Sequence, residues 1–227
     1  MKTEDVVILA MDELDLSAAM DLVREVGDSV YAFKIHDLYD RFGPSTIQAL
    51  RDAGASRIWV DVKLHDIPNT VAARARALAS AGVDIITVHA SGGVEMMEAA
   101  KQAGLIVFAV TILTSLHEKV VQSLYGRTSK ESVLHLAKLA TRAGVDGVVC
   151  SPQEVGSLAL RSDLGPFKLI TPGVRSVGKS KGDQKRVGTP EEALNSGASF
   201  IVMGRQITTA ADPVVAMHKL AEEIVLL

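Results

Sequence analysis

Apolar and polar positions alternate along this chain in two registers. Short β-branched runs recur: "DVVILAM" (5–11), "VYAFKI" (30–35), "RIWVDVKL" (57–64), "DIITVH" (84–89), "LIVFAVT" (105–111), "DGVVCS" (146–151), "FKLITP" (167–172) and "SFIVMG" (199–204). Each is followed by a longer Ala/Leu-rich stretch with apolar residues at helical spacing. These predict helices at about 16–26, 37–52, 69–81, 92–103, 131–143, 152–160, 189–196 and 212–225. Five stretches, "DAGAS", "SAGVD", "QAGLI", "RAGVD" and "NSGAS", place Gly just past a helix and just before a strand, where a left-handed C-cap costs it little. Eight strand–helix units of about 28 residues each, with near-continuous apolar strands, predict a parallel sheet covered by helices. With no composition break, the expectation is an α/β fold: one (β/α)8 TIM barrel over residues 1–227. An open doubly wound sheet is the alternative, but the regular spacing announces no topological switch point.

Composition narrows the function. Hydrophobic residues make up 48% and charged residues 22%, enough apolar stock for a sizeable core. The formal net charge is −3 and no Lys/Arg run occurs, which argues against a dedicated nucleic-acid binder. The single cysteine, Cys150, sits in an apolar run and reads as a core thiol in a reducing compartment. The first residues, "MKTEDVVILAMDELD", meet acid too soon for a signal peptide, and no run reaches the roughly 20 apolar residues of a membrane span. The expectation is a cytoplasmic protein with no membrane partner.

One motif invites a wrong reading. "GVRSVGKS" (173–180) fits the G-x-x-x-x-G-K-[ST] phosphate loop. A true phosphate loop opens a helix at the Lys-Ser/Thr, whereas "KGDQKRVGTP" follows here, with two glycines and a proline. No helix is expected there. Barrels often bind phosphate at the loops after strands 7 and 8. Those loops offer Arg175, Gln184, Gly204 and Arg205.

Charge at the strand ends is the stronger signal. In strand 3, alternation sends Ile58, Val60, Val62 and Leu64 toward the helices and Trp59, Asp61 and Lys63 into the barrel. Ile8, Ala10 and Asp12 share one face at strand 1, as do Ala32, Lys34 and His36 at strand 2. Asp12, Lys34, Asp61 and Lys63 should therefore converge at one rim, with Asp66 just beyond. Inward charges are costly unless paired near the open end. An ammonium held by carboxylates stays protonated, so Lys63 is a proton donor rather than a nucleophile. A substrate anion beside Asp61 would be repelled by about 4 kcal/mol at 4 Å and an effective dielectric near 20. Loss of CO2 relieves that repulsion. The array suits a decarboxylation that needs no metal or organic cofactor.

"DVKLHDIPNTV" resembles the signature of the orotidine 5'-phosphate decarboxylase family. So do "AMD", "VHASGG", "TILTS", "TPGVR" with "GDQKR", and "GRQIT" with "AADP", in order along the chain. The resemblance implies a homodimeric, cofactor-free barrel enzyme that makes uridine 5'-monophosphate from orotidine 5'-monophosphate, the last step of de novo pyrimidine synthesis. It implies Lys63 as proton donor, Asp61 beside the leaving carboxyl, and Lys34 and Asp66 completing the charged network. Asp12 and Lys34 would bind ribose, and Thr114 the pyrimidine. Pro172, Arg175, Gln184, Gly204 and Arg205 would serve the phosphate and its loop. Asp66, Ile67 and Thr70 would enter the partner subunit's site. The chain departs from the pattern at His36, commonly Gly, which is expected inward near Lys34, and at Gln206, commonly Pro.

Three alternatives compete. A sugar-phosphate decarboxylase such as the 3-keto-gulonate 6-phosphate type shares the Asp-x-Lys-x-x-Asp core and usually uses magnesium. A metal-dependent phosphosugar epimerase would draw ligands from His36, His65 and His89. A non-catalytic nucleotide-binding barrel would keep Arg205 and Gln184 but could dispense with the Asp61–Lys63 pair.

Overall fold

The computed structural model describes residues 1–176 and 188–225. Its eight strands close in sequence order: β1 (Val7–Ala10), β2 (Ala32–Ile35), β3 (Ile58–Leu64), β4 (Ile85–His89), β5 (Ile106–Val110), β6 (Gly147–Val149), β7 (Lys168–Thr171) and β8 (Phe200–Met203). All neighbours are parallel, and β8 returns to β1 through Val7–Ile201, Ile8–Val202 and Leu9–Met203. A short α1 (Thr3–Val6) leads into the barrel. The outer layer comprises α2 (Leu16–Val26), α3 (Asp37–Phe42), α4 (Ser45–Asp52), α5 (Pro68–Ser80), α6 (Val94–Lys101), α7 (Glu118–Tyr125) and α8 (Ser129–Arg142). It continues with α9 (Pro152–Ala159), α10 (Pro190–Asn195), α11 (Arg205–Thr208) and α12 (Pro213–Val225). No described helix is long and apolar enough to cross a membrane.

The closed barrel is the expected fold, with local differences among the helices; the short α1 and α11 were not expected. The helix expected over 37–52 is two helices, because Gly43 turns at φ 63° and Pro44 cannot donate to a continuing ladder. α7 falls in a stretch where no helix was expected. The five cap glycines behave as read: Gly54, Gly82, Gly104, Gly144 and Gly197 have φ of 109°, 85°, 77°, 65° and 105°.

Alternation along the strands divides the core in two. Ile58, Val60 and Leu64 join the large cluster between barrel and helices, as does the buried thiol of Cys150. Trp59 joins Ile8, Ala10, Ala32, Ile85, Phe108, Ile170, Phe200 and Val202 inside the barrel. There Trp59 meets Phe108 edge-on at 5.4 Å, Phe108 lies 6.2 Å from Phe200, and Phe200 lies 4.1 Å from Tyr31. The small Ala10 and Ala32 leave room for these rings, which plug the barrel below its mouth.

The opposite end is pinned by a repeated device. Asp84 and Asp146 each end an "AGVD" string and precede β4 and β6. The Asp84 carboxylate accepts the Ile58 N–H at 2.7 Å and is paired with Arg51. The Asp146 carboxylate accepts the Val107 N–H at 2.7 Å and Lys101 Nζ at 2.7 Å. Each thereby ties a strand start to the last turn of a helix. Asp84→Ala and Asp146→Ala should each lower the unfolding free energy by about 2 kcal/mol in urea titrations, since each strips a charged acceptor from a strand amide and a cation.

Candidate active site

β1, β2 and β3 deliver their charges to one place. Lys34 Nζ lies 2.7 Å from Asp12 Oδ1 and 3.5 Å from Asp61 Oδ2, and Lys63 Nζ lies 2.8 Å from the same Asp61 oxygen. The four side chains form one alternating row, Asp12–Lys34–Asp61–Lys63. Lys34 and Asp61 are buried at its centre, while the ends are more open. The strand period explains the layering: two residues before Asp12, Lys34 and Asp61 come Ala10, Ala32 and Trp59, all in the cluster inside the barrel. The row therefore rests directly on the aromatic plug.

Burial alone would neutralise these groups, and mutual attraction prevents it. Burial pushes the Asp61 carboxyl up, but Lys34 and Lys63, with hydrogen bonds from Lys63 and Thr87, bring it down to about 2. Burial pulls Lys34 down, and Asp61 and Asp12 more than offset this, raising it above its ordinary value. Both are charged at neutral pH.

The backbone at Lys63 departs from a regular strand. Between Val60 and Leu64 the pairing with β4 shifts: four steps along β3 match only the two from Ile86 to Val88. An even surplus preserves facing, so Leu64 still points to the helices. Within this bulge Lys63 takes φ 43°, a left-handed conformation that costs a non-glycine residue of order 1 kcal/mol. Thr87 of β4 holds it. The Lys63 N–H donates to Thr87 Oγ1 at 3.1 Å, and that hydroxyl donates to Asp61 Oδ1 at 2.6 Å. Sequence analysis did not single out Thr87; its signal is a lone hydroxyl in the apolar strand next to the one that carries Asp61.

Above the row opens a cavity of about 380 Å3. It brings together Asp12, Lys34, Asp61 and Lys63 with Thr114, Pro172, Arg175, Gly204 and Arg205. Thus the acid–amine row and the two arginines of the strand 7 and strand 8 loops face one space. Val174 bridges to Gly188, and the Arg175 N–H donates to Gly188 O at 3.0 Å, tying the described ends of the strand 7 loop together. Gln184, and the expectation of no helix after Ser180, lie outside the described residues.

Three expected residues do not line this cavity. Asp66 and Ile67 are exposed and Thr70 is half-buried, at the start of α5. Asp66 accepts the Ile67 N–H at 2.7 Å. The expectation for His36 needs correcting: it is exposed before α3 and does not line the cavity, because φ −131° and ψ −89° turn the chain out of the strand there. His65 and His89 rings lie 5.4 Å apart, and burial, then His65 and Lys63, lower His89 from its ordinary value. Among the described residues no three His, Cys, Asp or Glu side chains gather as metal ligands.

Comparison with known proteins agrees with this geometry. Residues 5–220 match the orotidine 5'-phosphate decarboxylase / HUMPS family. An orotidine 5'-phosphate decarboxylase of Pseudoalteromonas translucida is 42% identical, with 96% of each chain covered. Another, from Moorella thermoacetica, is 43% identical over 99% of this chain and 94% of its own. The crystal structure of orotidine 5'-phosphate decarboxylase from Lactobacillus acidophilus superposes with a TM-score of 0.82 at 36% identity, covering 96% of this chain and 98% of that one.

The depressed Asp61 carboxyl stabilises the fold above its unfolded value near 4, and that contribution is lost as pH falls through about 2. The stability gap between wild type and Asp61→Asn should therefore narrow by about 2 kcal/mol between pH 5 and pH 2, read by urea unfolding at each pH.

Proposed function

The chain belongs to the orotidine 5'-phosphate decarboxylase / HUMPS family, and from that membership we propose how its charged row removes a carboxyl group. The reaction is conversion of orotidine 5'-monophosphate to uridine 5'-monophosphate in pyrimidine biosynthesis. The observation that carries the mechanism is the Asp12–Lys34–Asp61–Lys63 row at the floor of the cavity.

In this reading the substrate carboxylate lies against Asp61. Held at about 2, Asp61 cannot relieve the contact by taking a proton at neutral pH. The C–C bond breaks, CO2 departs neutral, and the electron pair stays on the ring carbon. Lys63 gives that carbon a proton and is recharged from solvent. Asp61 thus destabilises the bound ground state, and Lys63 stabilises the charge that replaces it. The aromatic plug of Trp59, Phe108 and Phe200 keeps the floor dry, so the charges act at reduced dielectric.

The remaining roles are those the family resemblance implies, and the shared cavity supports them. Asp12 and Lys34, at the β1–β2 side, bind ribose hydroxyls. Thr114 meets the pyrimidine. Arg175 and Arg205 hold the phosphate beside Pro172 and Gly204, and Gln184 joins them. A cytoplasmic location accords with a chain whose single cysteine, Cys150, is buried in the core.

The protein acts as a homodimer in this reading. Asp66, Ile67 and Thr70 stand away from their own chain's cavity, and Ile67 is 66% exposed, an apolar side chain suited to a neighbour. They complete the partner's site, with Asp66 joining its charged network.

Metal-free protein should consume orotidine 5'-monophosphate in EDTA, followed by ultraviolet absorbance. Lys63→Ala should lower kcat by about 10³-fold or more while still binding uridine 5'-monophosphate. Retained turnover in that variant would overturn the donor role. Lys63→Ala and Asp66→Ala, each inactive alone, should on mixing regain about one quarter of wild-type activity, because half the dimers then carry one intact site. No recovery after subunit exchange would remove the shared-site reading.

A further inference from the structure

A side-chain clamp joins the segment bearing Arg175 to the segment bearing Arg205, and the mechanism above does not use it. Gln206 Oε1 accepts the Ser176 backbone N–H at 2.9 Å, and Gln206 Nε2 donates to Ser176 Oγ at 2.6 Å. Ser176 Oγ donates its own proton to Glu223 Oε2 on α12 at 2.7 Å. Ser176 is buried although it lies in a loop, and Gln206 lines the cavity beside Arg205.

The donors and acceptors close on one another. Because the Ser176 proton goes to Glu223, the hydroxyl's lone pairs are left to face the Gln206 amide. Both ends of that amide are spent on one residue, which fixes the orientation of the Ser176 main chain as well as its distance. Arg175 is the residue before Ser176, and Arg205 is the residue before Gln206. Arg205 opens the four-residue α11, and Arg175 follows the isolated bridge Val174–Gly188 and donates its own N–H to Gly188 O.

Resting on the phosphate role proposed for the two arginines, we infer that Gln206 is a positioning residue for phosphate recognition. Through Ser176 it sets the spacing at which Arg175 and Arg205 meet the substrate's phosphate, with Glu223 orienting the hydroxyl between them. The clamp lies at the strand 7 and strand 8 side, and Lys63 and Asp61 sit on β3. It therefore acts on binding of the phosphate rather than on proton transfer. Two arginines already spaced lose less freedom on binding than two that must be brought together.

Steady-state kinetics with orotidine 5'-monophosphate and with orotidine, the nucleoside lacking phosphate, test this. Gln206→Ala should raise KM for the nucleotide about tenfold, the worth of two hydrogen bonds, with kcat within about twofold. Its kcat/KM for orotidine should be unchanged. Glu223→Ala, on the exposed side of α12, should shift KM for the nucleotide the same way by a smaller factor, and it decides the matter if Gln206→Ala does not fold. An unchanged nucleotide KM, or equal losses on both substrates, overturns the clamp. Arg205→Ala serves as the control: if it leaves the nucleotide KM unchanged, the phosphate role itself falls, whereas an effect there without one at Gln206 rejects the clamp alone.

Discussion

A single carboxylate shared between two ammonium groups organises this protein. Asp61 stands between Lys34 and Lys63 inside the barrel mouth, and neither Asp61 nor Lys34, both buried, could be kept charged there alone. Burying an isolated charge costs several kcal/mol, and removing one partner leaves the others to bear that cost unshared. The row also dictates what can lie beneath it. Water under the charges would screen them, and the interlocked rings of Trp59, Phe108 and Phe200 exclude it. Stability and chemistry thus depend on the same attraction: what holds Asp61 ionised also leaves it ionised against a bound anion.

The bulge in β3 shows how the barrel accommodates reactive groups. A regular strand would carry β3 past the mouth in step with β4. Two surplus residues instead hold Lys63 in a left-handed turn, anchored by Thr87, while Leu64 stays seated among the helices. Strain confined to one residue is compatible with a rigid scaffold when neighbouring hydrogen bonds over-determine it. Here the anchor for the strained amide is the same hydroxyl that steadies Asp61, so backbone shape and charge placement are coupled through one oxygen.

Much of this is legible in the sequence. Period-2 alternation in "RIWVDVKL" separated Trp59, Asp61 and Lys63 from Ile58, Val60 and Leu64: the first set lines the cavity inside the barrel, and the second packs between barrel and helices. Glycine after helix marked the units correctly because only a residue without Cβ turns so cheaply there. What escaped notice depends on contacts distant along the chain. The β3 bulge is defined by its neighbour's register, the Thr87 role by its distance from Asp61, and the Gln206–Ser176 clamp by α11 meeting the strand 7 loop. His36 departs from the expectation because β2 ends at Ile35, so strand parity no longer governs where it points. The break at Gly43–Pro44 was visible as a turn signal, but the apolar spacing continued across it and masked it.

The tryptophan in the barrel plug is also a reporter. Trp59 is the chain's sole indole, it is buried, and it forms part of the cavity floor one layer below Asp61. Its emission therefore originates at the reaction centre and nowhere else. The protein carries an intrinsic optical label by which occupancy, hydration and field at the site can be followed in real time without attaching a dye.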